Sequence, residues 1–228
     1  VSRLRYSIND EMLMVVAPRI GEIASLEELC LCGTRNAEAG HDGMQIGDAG
    51  MMAFSSEVAH GALSKLLTLE LHNNKIGDAG IVSLAAALGK GALPQLKDVF
   101  LQKNQIADAG VSALAHACGE GALPQLHFLN LANNLVGDAG MASLANECAR
   151  GGMATLEIIF LDDNEVGDAG ITSLADAARA GGLARLAYLN LYHNKIDEPG
   201  ISALVEAFDK GALASLKQLV IYKNNAHL

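Results

Sequence analysis

The sequence predicts an α/β solenoid of about seven repeats of 30 residues, curved, with a parallel sheet on its concave face and helices on its convex face. Three observations predict it. The segments "LHNNKIGDAG" (71–80), "LQKNQIADAG" (101–110), "LANNLVGDAG" (131–140), "LDDNEVGDAG" (161–170) and "LYHNKIDEPG" (191–200) recur without drift, and self-similarity at such a period marks a stack of like units. Each period passes from a two-residue apolar alternation to a helical apolar stripe, so a unit is strand, turn, helix, turn. Finally, parallel strands stack at ~4.8 Å while helices need about 8–10 Å between axes, so the helical layer must take the outside of an arc.

The elements follow in chain order. "NDEMLMVVAPRI" (9–20) matches only the helical half of a unit, so residues 1–25 are expected to be a partial N-terminal repeat, with Asn9 or Asp10 able to cap the helix. The strand "LEELCLCGT" ends on Thr34 where later units have Asn. The ten residues 35–44, "RNAEAGHDGM", then form a loop insertion. Seven strands are expected, centred near Leu29, Leu69, Val99, Leu129, Ile159, Leu189 and Leu219. Residues 1–228 are expected to form a single domain whose C-terminus stops just after a strand, uncapped, with a bare edge at Ile221.

In the helices, Ile81, Leu84, Ala85 and Leu88 share one face, and the same face recurs down to Ile201, Leu204, Val205 and Phe208. Cys118 and Cys148 fall in that column and read as small buried hydrophobes. Leu93, Leu123, Met153, Leu183 and Leu213 refill the core after each helix. Asp48, Asp78, Asp108, Asp138 and Asp168 stand just ahead of the helices and are expected to act as N-caps, with Glu198 in that place before Pro199. The recurrent Asn74, Asn104, Asn134, Asn164, Asn194 and Asn224 come three residues after the last strand leucine. An amide there can satisfy the backbone groups that the bend leaves unpaired, and six copies would make a ladder.

The unit Leu-x-x-Leu-x-Leu-x-x-Asn-x-Ile-x-Asp-x-Gly-x-x-x-Leu resembles the leucine-rich repeat, and its long, helix-containing period resembles the ribonuclease-inhibitor-like subfamily. The resemblance covers nearly the whole chain and implies the fold; it says little about any one function. The Ran GTPase-activating protein is a similar solenoid, and innate-immune receptors carry such arcs as sensor segments, so a regulator of a small GTPase or a sensor segment is the alternative to a plain interaction module.

Composition narrows the partners. With 16 Lys plus Arg against 26 Asp plus Glu, the formal charge is −10, which disfavours nucleic acid and anionic membrane. No apolar run is long enough to insert in a membrane. Four cysteines, Cys30, Cys32, Cys118 and Cys148, make no disulfide framework, and an intracellular, reducing setting fits them best. "LDDNEVGDAG" has the look of a calcium loop, but its sister copies replace Asp162 and Asp163 freely, and Val166 and Ser173 fall where ligands are needed. No catalytic constellation stands out, so no enzyme activity, cofactor or metal is expected. Cys30 and Cys32 alternate on one strand near His72, with His41 and Asp42 in the insertion, but this spacing fits no established zinc motif.

Function is expected on the outward strand positions. They hold Phe100, Phe128, Ile158, Phe160, Tyr188, Tyr192 and Tyr222 together with Glu70, Asp98 and Asp162, and no Lys or Arg. Six of the chain's nine aromatics fall there, although the fold requires none of them. These ten residues are the candidate site for a protein partner carrying an aliphatic or aromatic segment with basic residues nearby, either alone or within a large complex. The helical face, smoothed by Ala86, Ala87, Ala117, Ala177 and Ala207, is a second candidate surface.

Overall fold

The computed structural model describes residues 2–5, 8–33, 45–61 and 63–225. The insertion at 35–44, Thr34, His41 and Asp42 lie outside the described residues. Among the described residues eight strands alternate with seven helices: β1 (Arg3–Arg5), α1 (Asp10–Gly21), β2 (Glu28–Cys30), α2 (Asp48–Ala59), β3 (Thr68–Glu70), α3 (Asp78–Leu88), β4 (Asp98–Phe100), α4 (Asp108–Gly119), β5 (Phe128–Asn130), α5 (Asp138–Ala149), β6 (Ile158–Phe160), α6 (Asp168–Arg179), β7 (Tyr188–Asn190), α7 (Glu198–Asp209) and β8 (Gln218–Val220). All strands are parallel and pair in sequence order in one sheet. Each helix packs on the next. The architecture is the leucine-rich-repeat solenoid that the period and the patterning predict.

One strand was not foreseen. β1 stands ahead of the helical segment at 9–20 and pairs Arg3 with Glu28 and Arg5 with Cys30. The N-terminal unit therefore has a strand as well as a helix.

The core lies between sheet and helices. The middle residue of each inner strand (Leu29, Leu69, Val99, Leu129, Ile159, Leu189) is buried, as are the helix residues Ile81, Leu84, Val111, Leu114, Ile171 and Leu174. Cys118 and Cys148 are buried free thiols, and burial, with Glu147 nearby, pushes both up to about 12. The refilling residues Leu93, Leu123, Met153, Leu183 and Leu213 are buried too. The last helix departs from the expected stripe: Val205 and Phe208 are 49% and 38% exposed. Their counterparts are covered by the following helix, whereas among the described residues no helix packs on the far side of α7. The helical face is also less alanine-lined than expected, because Ala87, Ala117, Ala177 and Ala207 are buried between helices while Ala86 is exposed.

The asparagine ladder forms. Asn134 is typical: its Oδ1 accepts from the Ile106 N–H at 3.0 Å, and its Nδ2 donates to the Leu101 and Leu131 carbonyls, each at 3.0 Å. One amide thus closes its own turn and joins it to the turn before. Asn74, Asn104, Asn164, Asn194 and Asn224 make the same two kinds of bond.

The aspartates do something other than cap their own helices. Helices α2 to α6 begin at the Asp itself and α7 at Glu198, the N-cap residue is the one before, and in none of them does the N-cap side chain cap its own helix. Instead each carboxylate reaches forward. Asp108 Oδ1 accepts from the Gly137 N–H at 2.7 Å and the Gly140 N–H at 2.9 Å, which are the N-cap and third-residue donors of α5. Asp48, Asp78, Asp138 and Asp168 clamp the next helix in the same way. Asp10 bonds Gly47 N–H, and α1, the first helix, is capped by its own Asn9 at 3.0 Å. The repeated glycine makes room for the clamp: a Cβ on Gly140 would lie 2.7 Å from Asp108 Oδ1. Glu198 and Pro199 follow the N-cap Asp197, one position later than expected.

Candidate functional site

Residues that alternate with the buried strand positions project from the outer face of the sheet. The register sets Phe100, Asn130, Phe160 and Asn190 in one row and Phe128, Ile158 and Tyr188 in the row beside it. Aromatic residues therefore switch rows from strand to strand, and their rings meet on the diagonal. Phe100 and Phe128 have ring centroids 4.6 Å apart, Phe128 and Phe160 5.6 Å, and Phe160 and Tyr188 4.9 Å. The result is a continuous zigzag of four rings across β4 to β7. Mutual contact leaves all four half-buried, with Ile158 half-buried among them.

A second pair lies on the row after the strands. Tyr192 and Tyr222 meet edge to face at 4.8 Å, and Tyr222 is 66% exposed. Lys223 Nζ lies 5.3 Å from the Tyr192 ring centroid, a cation–π distance.

The charges around the rings are less one-sided than the strand columns suggest. β1 brings Arg3 and Arg5 to this face: Arg3 pairs with Glu28 at 2.7 Å and with Glu70 at 3.4 Å. His127 lies between Asp98 (3.5 Å) and Glu157 (3.4 Å). Asp162 accepts from Asn190 Nδ2 at 2.9 Å, and burial raises its carboxyl above the usual range, the neighbouring Asp163 adding to the effect and a backbone hydrogen bond opposing it. The structure thus places all ten expected residues on the sheet side. It groups Phe100, Phe128, Ile158, Phe160 and Tyr188 with Asp98 and Asp162, sets Tyr192 and Tyr222 apart as a pair, and turns Glu70 toward Arg3 and Cys32.

The acidic stretch at 161–170 disperses. Asp162 serves Asn190, Asp163 contacts His193, Glu165 pairs with Lys195 at 3.1 Å, and Asp168 clamps α7. Among the described residues, the one group of three or more His, Cys, Asp or Glu whose ligand atoms converge is Cys30, Cys32 and Glu70. Cys30 and Cys32 are joined as a disulfide, a pairing the cysteine count did not anticipate.

Comparison with known proteins agrees with the architecture. The Leucine Rich repeat family model matches at residues 62–85, 95–115 and 123–145. These stretches cover under a third of the chain, and the match agrees with its solenoid fold. Over 91% of its length the chain superposes on the crystal structure of an internalin from Listeria monocytogenes, with a TM-score of 0.51 and 21% identity, covering 51% of that chain. This likeness is one of fold, and the chain spans about half the length of that internalin. No curated protein matches the sequence.

Proposed function

We propose that this chain is a protein-interaction module, not an enzyme, and that it binds a protein partner through the aromatic strip on its concave face. The observation that carries the reading is the four-ring zigzag from Phe100 to Tyr188. The fold needs no ring at these positions, since Asn130, Asn190 and Thr68 occupy equivalent ones. Half-buried rings already fixed by their neighbours lose little entropy on binding, which suits them as anchors. Asp98 and Asp162 beside the strip favour a partner segment with an aliphatic or aromatic side chain and a basic residue close by. The thirty-residue, helix-bearing period favours the ribonuclease-inhibitor-like branch of the leucine-rich repeats, with work as a subunit of a larger assembly as one form of the same role.

The test is affinity selection from the native source with the wild-type chain, with a Phe128→Ser/Phe160→Ser/Tyr188→Ser variant, and with a helix-face Val82→Ser/Val205→Ser control, each checked for fold by circular dichroism. The reading expects a partner retained by the wild type and the control and lost by the strip variant. A partner retained equally by the folded strip variant would refute it.

A further inference from the structure

Cys30, Cys32, Glu70 and His72 form a constellation that the aromatic strip does not use. β2 and β3 pair Cys30 with Glu70, and the strand continues so that Gly33 N–H bonds the His72 carbonyl. Two neighbouring strands thus each present two donors on the same face, Cys-x-Cys on one and Glu-x-His on the other. The two sulfurs and a Glu70 carboxylate oxygen lie within 4.8 Å of one another. Cys32 Sγ is 3.4 Å from His72 Nδ1 and 3.7 Å from Glu70 Oε2. The repeat demands none of these residues: the equivalent positions in later repeats are Phe100, Asn130, Phe160, Asn190 and Val220, and Gln102, Ala132, Asp162, Tyr192 and Tyr222.

The donor set has a chemistry of its own. Two thiolates, an imidazole and a carboxylate suit a borderline-soft divalent cation of the zinc class. Bonds of about 2.0–2.3 Å at tetrahedral angles put neighbouring ligand atoms roughly 3.3–3.8 Å apart, and the Cys32–His72 and Cys32–Glu70 edges already have that length. Arg3 holds the other oxygen of Glu70 at 3.4 Å, the kind of outer contact that orients a ligating carboxylate. Cys30 is buried while Cys32, Glu70 and His72 are half-buried, so the cluster is sheltered yet reachable.

We propose that these four residues form a redox-gated site for a zinc-class divalent cation. In the disulfide form each sulfur is bonded to the other and the site is closed. Reduction by a dithiol breaks the S–S bond: two electrons and two protons pass to the sulfurs, and the dithiol closes to its own disulfide. The cation then binds both sulfurs as thiolates and displaces their two protons into solvent. The sequence already sets Cys30 and Cys32 beside His72; the remaining donor, Glu70, comes in through the pairing of β2 with β3.

The experiment titrates the full chain with Cd²⁺, following the thiolate-to-cadmium charge-transfer absorbance, before and after reduction with a trialkylphosphine. The phosphine takes oxygen from water to become the phosphine oxide and leaves both sulfurs as thiols. The expected result is one cadmium per reduced chain, none on the disulfide form, and displacement by Zn²⁺. C30S and C32S abolish binding, E70Q and H72A each weaken it at least about tenfold, and a Cys118→Ala/Cys148→Ala variant keeps it. The proposal is overturned if the reduced chain binds no cadmium, if binding is unchanged in E70Q and H72A, or if it disappears with the folded Cys118/Cys148 variant.

Discussion

Replacing Asp108 by alanine should destabilise the repeat after it and spare its own. Asp108 Oδ1 accepts two backbone N–H groups, Gly137 at 2.7 Å and Gly140 at 2.9 Å, both at the first turn of α5. A hydrogen bond to a charged group contributes about 1.5–3 kcal/mol, and loss of a helix cap costs roughly 0.5–2 kcal/mol. The two donors share one oxygen and are only partly buried, so the low end of the sum applies: about 2 kcal/mol for Asp108→Ala. Asp108→Asn keeps an acceptor but loses the charge facing the helix dipole, and should cost about 1 kcal/mol. Native-state hydrogen exchange places the effect in the chain. At tenfold per 1.4 kcal/mol, the Gly137 and Gly140 amides of Asp108→Ala should lose about 30-fold protection, while the first turn of α4 stays unchanged. Loss of protection at the start of α4, with α5 unaffected, would refute the forward clamp and restore the ordinary cap.

Other outcomes follow from the same geometry. Gly140→Ala should destabilise the protein in thermal melts despite alanine's helix advantage of about 1 kcal/mol, because the added Cβ would lie 2.7 Å from Asp108 Oδ1 and 3.1 Å from its Cα. Asp162→Asn should raise the melting temperature at neutral pH. The Asp162 carboxyl is raised in the fold, so folding favours its protonated form; the wild-type handicap is present at neutral pH and disappears as pH falls below 3.8, where melts of the two proteins should converge. For Cys118 and Cys148, burial raises the folded thiols from 9.0 to about 12, so their contribution is intact below pH 9.0 and is lost as pH rises toward 12. Urea unfolding across that window should show a shallower alkaline loss in Cys118→Ala/Cys148→Ala, and neither thiol should react with a water-soluble disulfide reagent until the chain unfolds.

Much of this was legible in the sequence, for a physical reason. A stacked repeat writes each packing role several times, so Leu69, Val99 and Leu129, or Asn74, Asn104 and Asn134, confirm one another. The same redundancy hides direction. Asp108 and Asp138 are thirty residues apart and alike, so the pattern cannot tell a bond within a repeat from one into the next; only the folded stack shows the carboxylate reaching forward. β1 was missed because a three-residue strand, Arg-Leu-Arg, has charged outer positions and no repeat motif behind it. Val205 and Phe208 carry the core pattern but lie on α7, over which no helix packs among the described residues. In the candidate site, strand alternation was enough to put the rings on the outer face. Their diagonal contacts, and the Arg3 that β1 sets beside Glu28 and Glu70, depend on pairing between strands and become visible only in the assembled sheet.

The central claim is that amides and carboxylates hold the turns while the rings on the concave face do the recognising. The most direct measurement is the hydrogen-exchange footprint of a partner captured from the native source, bound to the whole chain. The account predicts added protection over β4 to β7, from Asp98 to Asn190, with the helix faces unchanged. A footprint confined to the helices, leaving those four strands as they were, would contradict it.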